Sequence, residues 1–177
     1  MLTTTNSALI TERLSLRIVK GDQDIQELKR LNSVIFPINY NERFYKDIQR
    51  HNGDPLCFAV FVCLDNEEVI GTFSCRVEPA VPPLEPVESV YVMTFGLIMK
   101  YRMRGIGLWM WNEMIKVYNN RRLDMIVLHV QVGNRMAERF YTKLGFSRYG
   151  TVKDYYRRID PPDAILLARP FKLNDTV

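Results

Sequence analysis

The chain's 177 residues and 20.8 kDa suit one domain, and 47% apolar with 25% charged residues suit a packed core. A formal charge of +4 and a pI near 9.0 are mild, compatible with an anionic ligand or a ribosomal surface and equally with an ordinary soluble protein. Cys57, Cys63 and Cys75 include no C-x-x-C pair, and two histidines cannot complete a zinc set with them, so buried reduced thiols are expected and a structural metal is not.

Residues 1–11 read as a flexible polar tail, 12–171 as one domain and 172–177 as a second tail. Met1 to Thr11 has neither a basic n-region nor an apolar h-region, and no apolar run approaches about 18 residues, so an intracellular protein without a membrane span is expected. Leu14 to Ile18 alternates like a strand. Asp24 to Val34 places Ile25, Leu28, Leu31 and Val34 at helical spacing, with Asp22 or Asp24 as the cap. Ile35 to Tyr40 is an apolar loop in which Pro37 discourages helix, and on physical grounds it is first a buried staple. Asn41 to Arg50 reads as a second helix, broken at His51 to Pro55.

Leu56 to Leu64 and Val69 to Val77 are strand-like and joined at Asp65-Asn66-Glu67. Glu78 to Glu88 carries Pro79, Pro82, Pro83 and Pro86, too many for a sheet, and should be an exposed loop. Val90 to Ile98 is β-branched and aromatic, a buried strand. From Leu108 a helix should present Trp109, Met110, Met114, Val117 and Tyr118. Met125 to Val130 is another buried strand. Arg135 to Leu144 is a helix with Met136, Phe140 and Leu144 on one face, stopped by Gly145. Phe146 to Val152 and Ala164 to Ala168 are closing strands, and Asp154 to Pro162 between them is an aromatic loop.

Between the strand at Val90 and the helix at Leu108 lies Lys100-Tyr101-Arg102-Met103-Arg104-Gly105-Ile106-Gly107. A helix start offers unpaired N–H groups and partial positive charge, and glycine admits close approach, so this turn could hold phosphate. The plain alternative is an ordinary turn with its arginines in water. The turn lacks the third glycine of a dinucleotide-binding fingerprint, and no Gly-Lys-Ser/Thr occurs in the chain. His129 lies in an apolar run near a strand's end. There it is either a core histidine or, with an ordinary near-neutral pKa, a proton acceptor. Tyr91 is by default a core tyrosine with one hydroxyl bond.

Arg102-x-x-Gly105-x-Gly107 after an apolar strand resembles the acetyl-CoA loop of the Gcn5-related N-acetyltransferase (GNAT) superfamily. The likeness runs from about Leu28 to Leu167. Asn134-Arg135-Met136-Ala137-Glu138-Arg139-Phe140-Tyr141 resembles a segment of the whole superfamily that packs along coenzyme A, whereas Phe36-Pro37-Ile38-Asn39-Tyr40 and the paired Tyr155 and Tyr156 resemble the N-alpha-acetyltransferase 50 branch, the NatE catalytic type. The resemblance implies an α/β GNAT fold: a mixed, mostly antiparallel sheet of about seven strands, four main helices and a splayed cofactor cleft. It implies acetyl-CoA held by Phe95, Leu97, Ile98, Arg102, Met103, Arg104, Gly105, Ile106, Gly107, Leu108, Asn134 and Tyr141. Tyr91 and His129 would take the amine's proton through water, and Tyr141 would protonate the leaving thiolate. A peptide beginning with Met would sit against Phe36, Pro37, Ile38, Tyr40, Tyr91, Met93, Tyr155, Tyr156 and Ile159.

The same resemblance implies nascent polypeptide N-termini as substrates, NatA subunits and the ribosome as partners, and no membrane or sequence-specific nucleic acid. It implies the cytoplasm as the compartment, with the nucleus left open. Two departures stand out. Met103 sits where a basic residue is common, and the loop from Pro79 to Pro86 looks inserted. The rival readings are a non-catalytic NatA-associated subunit and a lysine or small-amine acetyltransferase. An α-amine near pKa ~8 costs about 1.4 kcal/mol to deprotonate at pH 7, and a lysine near ~10.4 about 4.6 kcal/mol. The apolar Phe36-Pro37-Ile38 segment also disfavours polycationic substrates.

Overall fold

The computed structural model describes residues 13–172 except 52, 81, 83, 85 and 86. The tail expected at 1–11, residues 173–177 of the second tail, and Pro83 and Pro86 of the proline loop lie outside the described residues. The elements run β1 (Leu14–Ile18), α1 (Gly21–Ile35), α2 (Glu42–His51), β2 (Cys57–Leu64), β3 (Val69–Pro79) and β4 (Glu88–Leu97). A 3₁₀ turn (Met99–Tyr101) leads to α3 (Ile106–Tyr118), β5 (Met125–Gln131), α4 (Arg135–Lys143), β6 (Ser147–Val152) and β7 (Ala164–Pro170). The strands form one sheet in the order β1-β2-β3-β4-β5-β7-β6, antiparallel throughout except between β4 and β5. The mixed, mostly antiparallel sheet with four helices is therefore present as expected. No helix among the described residues is long and apolar enough to cross a membrane.

Both faces of the sheet are covered, which is why β2 is apolar at every position rather than alternating. Phe58, Val60 and Val62 join α3 and Tyr141 of α4 in one core, while Cys57, Ala59, Phe61 and Cys63 join α1 and α2 in the other. A helix on each side leaves neither parity of the strand in water.

Several local expectations need correction. Helix α1 starts at Gly21, three residues before Asp24, with Lys20 as its N-cap. Asp24 instead accepts the Lys20 amide at 2.8 Å and pairs with Arg17. The inward face of α3 is Ile106, Met110, Trp111, Met114, Ile115 and Tyr118, so Trp111 is buried where Trp109 was expected, and Val117 is exposed. The helix begins two residues earlier than its apolar run suggests, and Ile106 sets the phase of everything after it. On α4, Tyr141 and Leu144 point inward while Met136 is 54% exposed. Strand β3 continues through Glu78 and Pro79, which pair with Ser89 and Glu88. The base of the proline loop is thus inside the sheet. Its Ala80 is buried, and Leu84 and Val87 pack with it against Val127, Leu166 and Ala168.

The feature that positions the site is the junction of β4 and β5. They pair only at Ser89↔Met125, Val90↔Ile126 and Tyr91↔Val127, and then part. Opposite β3, Ser74 pairs with Thr94 and Cys75 with Val92, so Met93 is one residue too many. This bulge bends β4 away from β5 and resets its parity, which keeps Val90, Val92, Phe95 and Leu97 in the same core.

Gly96 lets α1 end against β4. A Cβ there would lie 2.5 Å from Ile35 Cγ2 and 3.0 Å from two carbons of the Phe36 ring. Gly96→Ala should therefore cost about 1–3 kcal/mol by overpacking. A lower urea midpoint with an unchanged slope would show it, and an unaltered midpoint would refute this account of the contact.

Candidate active site

Where β4 and β5 separate, Tyr91 belongs to the last register pair, Tyr91↔Val127, and His129 lies two residues beyond Val127 on β5. Tyr91 Oη lies 3.0 Å from His129 Nδ1 and 2.7 Å from Tyr155 Oη. With Nδ1 as the acceptor, Tyr91 donates to His129 and accepts from Tyr155. The Tyr155 ring stacks on the imidazole at 4.4 Å and 15°, and Tyr156 meets Tyr155 edge-on at 4.8 Å. The Arg76 guanidinium, paired with Glu78, sits 5.2 Å from the centre of the Tyr91 ring. The aromatic loop that brings Tyr155 in is tied at its base. The Tyr156 amide donates to Pro162 O at 2.8 Å, Gln131 Nε2 to Pro161 O at 2.9 Å, and the Asp154 amide to Asp163 at 3.0 Å.

Burial sets the protonation states. The Tyr91 phenol is pushed well above its ordinary pKa, first by desolvation and then by Tyr155. His129 was expected near neutrality, but desolvation lowers its pKa to about 4. Both groups are neutral at physiological pH, so the pair can pass a proton but does not store one.

The glycine turn is built as a cradle of amides. The Arg102 amide donates to Met99 O, and those of Leu108 and Trp109 donate to Gly105 O. Among the described residues, the five amides from Met103 to Gly107 have no backbone acceptor. Gly105 caps α3 with φ 83°, a left-handed conformation that glycine adopts without strain, while Met103 takes φ 60° and is 90% exposed. Five consecutive free amides at a helix start fit a pyrophosphate. The arginines play other parts. Arg102 Nε donates to Leu97 O at 2.9 Å and Nη2 to Ile35 O at 3.5 Å, so its side chain is a strut rather than an anion ligand. Arg104 stands 5.8 Å over the Tyr101 ring. Leu97 and Ile106 are buried in the core, so only their backbones face the turn.

On the other side of the sheet Phe36, Tyr40, Met93 and Ile98 pack at the edge of the α1–α2 core. Phe36 meets Tyr40 edge-on at 5.8 Å, and Phe44 stacks on Tyr40 at 4.6 Å. Phe44 and Gly96 both shape this segment, and neither carried a sequence signal beyond being apolar or small. Desolvation, then Tyr156, Tyr155, Tyr45 and Tyr141, raises the Tyr40 phenol far above its ordinary range. Ile38 is half-buried and lines a cavity of about 170 Å³ with Lys29, Asn32, Tyr40 and Tyr45. Pro37 is exposed and Ile159 half-buried.

Tyr141 is 7% exposed among the rings of Phe95, Trp111, Phe140 and Phe146, at 6.4, 6.3, 5.2 and 5.3 Å. Burial raises its phenol, which keeps the O–H as a donor. It touches neither Tyr91 nor His129 directly. Asn134 caps α4, its Oδ1 accepting the Ala137 amide at 3.2 Å, which leaves its Nδ2 for a ligand. A cluster of three or more His, Cys, Asp or Glu able to hold a metal is absent from the described residues.

A sheet opened between its one parallel pair, with free amides at one mouth and a neutral Tyr–His pair at the fork, defines a transferase class that takes an acyl group from a phosphate-bearing carrier. The chain matches the acetyltransferase (GNAT) family over residues 25–146 and belongs to it. It is 39% identical over 160 residues to N-alpha-acetyltransferase 50 of Danio rerio, covering 88% of this chain and 90% of that one. It is 35% identical over 150 residues to the probable N-acetyltransferase san of Drosophila melanogaster, covering 84% and 77%. The solved structure of Arabidopsis thaliana Naa50 in complex with the bisubstrate analogue CoA-Ac-MVNAL superposes with a TM-score of 0.74 at 31% identity. That match covers 89% of this chain and 98% of that one.

The His129 pKa makes a stability prediction. The folded value near 4 lies below the ordinary 6.5, so as pH falls the unfolded chain takes up this proton first. The neutral imidazole's contribution is complete above pH about 6.5 and is lost between there and about 4. Urea midpoints at pH 7 and pH 5 should differ less for His129→Gln than for the wild type, and equal differences would refute the shift.

Proposed function

We propose that this chain moves acetyl from acetyl-CoA to the α-amine of peptides that begin with Met, Met-Leu being the type. The observation that carries the reading is the 3.0 Å contact between Tyr91 Oη and His129 Nδ1 at the fork of β4 and β5. The relatives named for N-alpha-acetylation, and the Arabidopsis protein's complex with a Met-headed analogue, support it.

Bound acetyl-CoA supplies the activated acetyl thioester. The amides of Met103 to Gly107 would hold its pyrophosphate, with Asn134 and the exposed edges of Phe95 and Leu108 along its length. Phe36, Tyr40 and Met93 would enclose the methionine side chain, and Tyr155 and Tyr156 would hydrogen-bond the peptide backbone. Pro37, Ile38 and Ile159 would complete that wall. Holding amine and thioester together supplies much of the rate.

The amine reacts directly. Burial pushes all three thiols up, Cys57 to about 11, so none is a thiolate nucleophile at neutral pH. Tyr91 and His129 relay the amine's proton through water, and Tyr141 donates its proton to the leaving sulfur. Because neither relay group is charged at pH 7, the pH dependence belongs to the substrate. The rate should rise with pH along the α-amine's own titration near pKa ~8, with no step near 6.5. That chemistry suits a cytoplasmic enzyme working on nascent N-termini, in company with NatA-type subunits at the ribosome.

The test is turnover of a Met-Leu peptide beside an internal-lysine peptide and spermidine. Only the first should react well, and His129→Ala should lower kcat/KM about 10²-fold or more. Preference for lysine or spermidine would overturn the reading, as would full activity in His129→Ala. Calorimetry isolates the cradle: Gly105→Ala forces a side chain to positive φ at a cost of about 1–2 kcal/mol, so acetyl-CoA should bind roughly tenfold more weakly. An unchanged affinity would remove the turn from the site.

A further inference from the structure

An α-ammonium that becomes an amide sheds two protons, and the departing thiolate takes up only one. On the acetyl-transfer reading above, on which this inference rests, the other proton must leave the fork of β4 and β5. The phenol of Tyr91 and the imidazole of His129 both stay neutral there at pH 7 and cannot keep it. Among the described residues, no carboxylate is hydrogen-bonded to either group to receive it. The proton needs a path to solvent.

One such path is built into the site. Tyr91 Oη stands 3.0 Å from His129 Nδ1 and 2.7 Å from Tyr155 Oη, so three polar atoms follow one another in unbroken hydrogen-bond contact. Tyr91 and His129 are half-buried, whereas Tyr155 is 40% exposed. The chain of contacts therefore runs from the fork to water. Tyr155 is fixed at its outer end: its ring stacks on the imidazole at 4.4 Å and 15°, and Tyr156 meets it edge-on at 4.8 Å. The loop that carries it is tied at its base through Asp154, Tyr156 and Gln131. A phenylalanine would serve for the stacking, and only a hydroxyl supplies the 2.7 Å contact.

A hydroxyl has one proton and two lone pairs. When His129 Nδ1 carries its hydrogen and donates it, Tyr91 donates to Tyr155 and keeps a lone pair for a water beside the amine. Tyr155 then donates to solvent and keeps a lone pair for a peptide N–H. We propose that the Tyr155 hydroxyl is the proton outlet of this site, acting through Tyr91 rather than on the reacting atoms. The amine's proton passes through water to Tyr91 Oη, the Tyr91 proton passes to Tyr155 Oη, and the Tyr155 proton passes to bulk water. Each phenol gives up one proton and gains one, and rotation of the two hydroxyls restores the starting arrangement.

The test is Tyr155→Phe, which keeps a ring on His129 and removes only the hydroxyl; an unchanged urea midpoint certifies its fold. With acetyl-CoA and a Met-Leu peptide, its kcat should fall about tenfold or more while the peptide KM changes less than about twofold. Raising the concentration of imidazole buffer should restore much of the lost kcat, because a mobile base can collect the proton from Tyr91. The wild type should be indifferent to the buffer. An unchanged kcat in Tyr155→Phe would overturn the outlet, and a raised KM beside it would assign the hydroxyl to peptide binding alone. A fall in kcat that buffer does not repair would overturn it too, in favour of a purely structural role. Failure of the underlying reading looks different: the wild type would leave the Met-Leu peptide unreacted, or His129→Ala would retain full activity.

Discussion

Everything at this site depends on how briefly β4 and β5 stay together. Three register pairs hold them, and the last of these carries Tyr91. A fourth pair would draw the His129 backbone into the ladder with β4 and close the space that a substrate must enter. The extra residue at Met93 prevents it, by turning β4 off its course while preserving the apolar phase of the strand. The backbone groups released on the inner edges of the two strands, and the amides of the following turn, are what the opening presents to a ligand. The cleft is therefore a backbone construction first. Side chains decorate a gap that the strand register has already made.

The electrostatics follow from the same gap. A fork between two covered strands is poor in water, so Tyr91, His129, Tyr40, Tyr141 and Tyr156 all shift toward their neutral forms. Among the described residues no carboxylate pairs with His129 to reverse this, and desolvation is the cause of its shift. A site composed this way cannot hold a proton in reserve. It conducts protons between a substrate that has one to lose and solvent that can take it. That behaviour suits a nucleophile already about a tenth neutral at pH 7 better than one that must be forced to deprotonate.

Much of the architecture was legible in the sequence, because covered strands and amphipathic helices write their burial into runs and periods of apolar residues. The glycine turn could be read for the same reason: Gly105 and Gly107 stand where a strand gives way to a helix. Other features left no such mark. Trp109 and Trp111 fit a helical period equally well until Ile106 fixes the phase. The bulge at Met93 depends on what β3 does opposite. Arg102 looked like an anion ligand because sequence reports its charge, whereas its role depends on two carbonyls, one of them 67 residues away. The pKa of His129 was misjudged by its reference value, since burial is a property of the assembled neighbours.

The Arg102 strut has one more implication. Its guanidinium joins Leu97, at the end of β4, to Ile35, the residue immediately before the Phe36–Tyr40 segment. One side chain thus spans the two halves of the cleft, and only a planar group with separated nitrogens can do so; a lysine would keep the charge and lose the bridge. Attempts to redesign this enzyme's specificity by reshaping positions 36–40 cannot treat the acyl-carrier half as a fixed background. Changes on either side reach the other through a shared hinge pin, and libraries built one half at a time will miss the combinations that work.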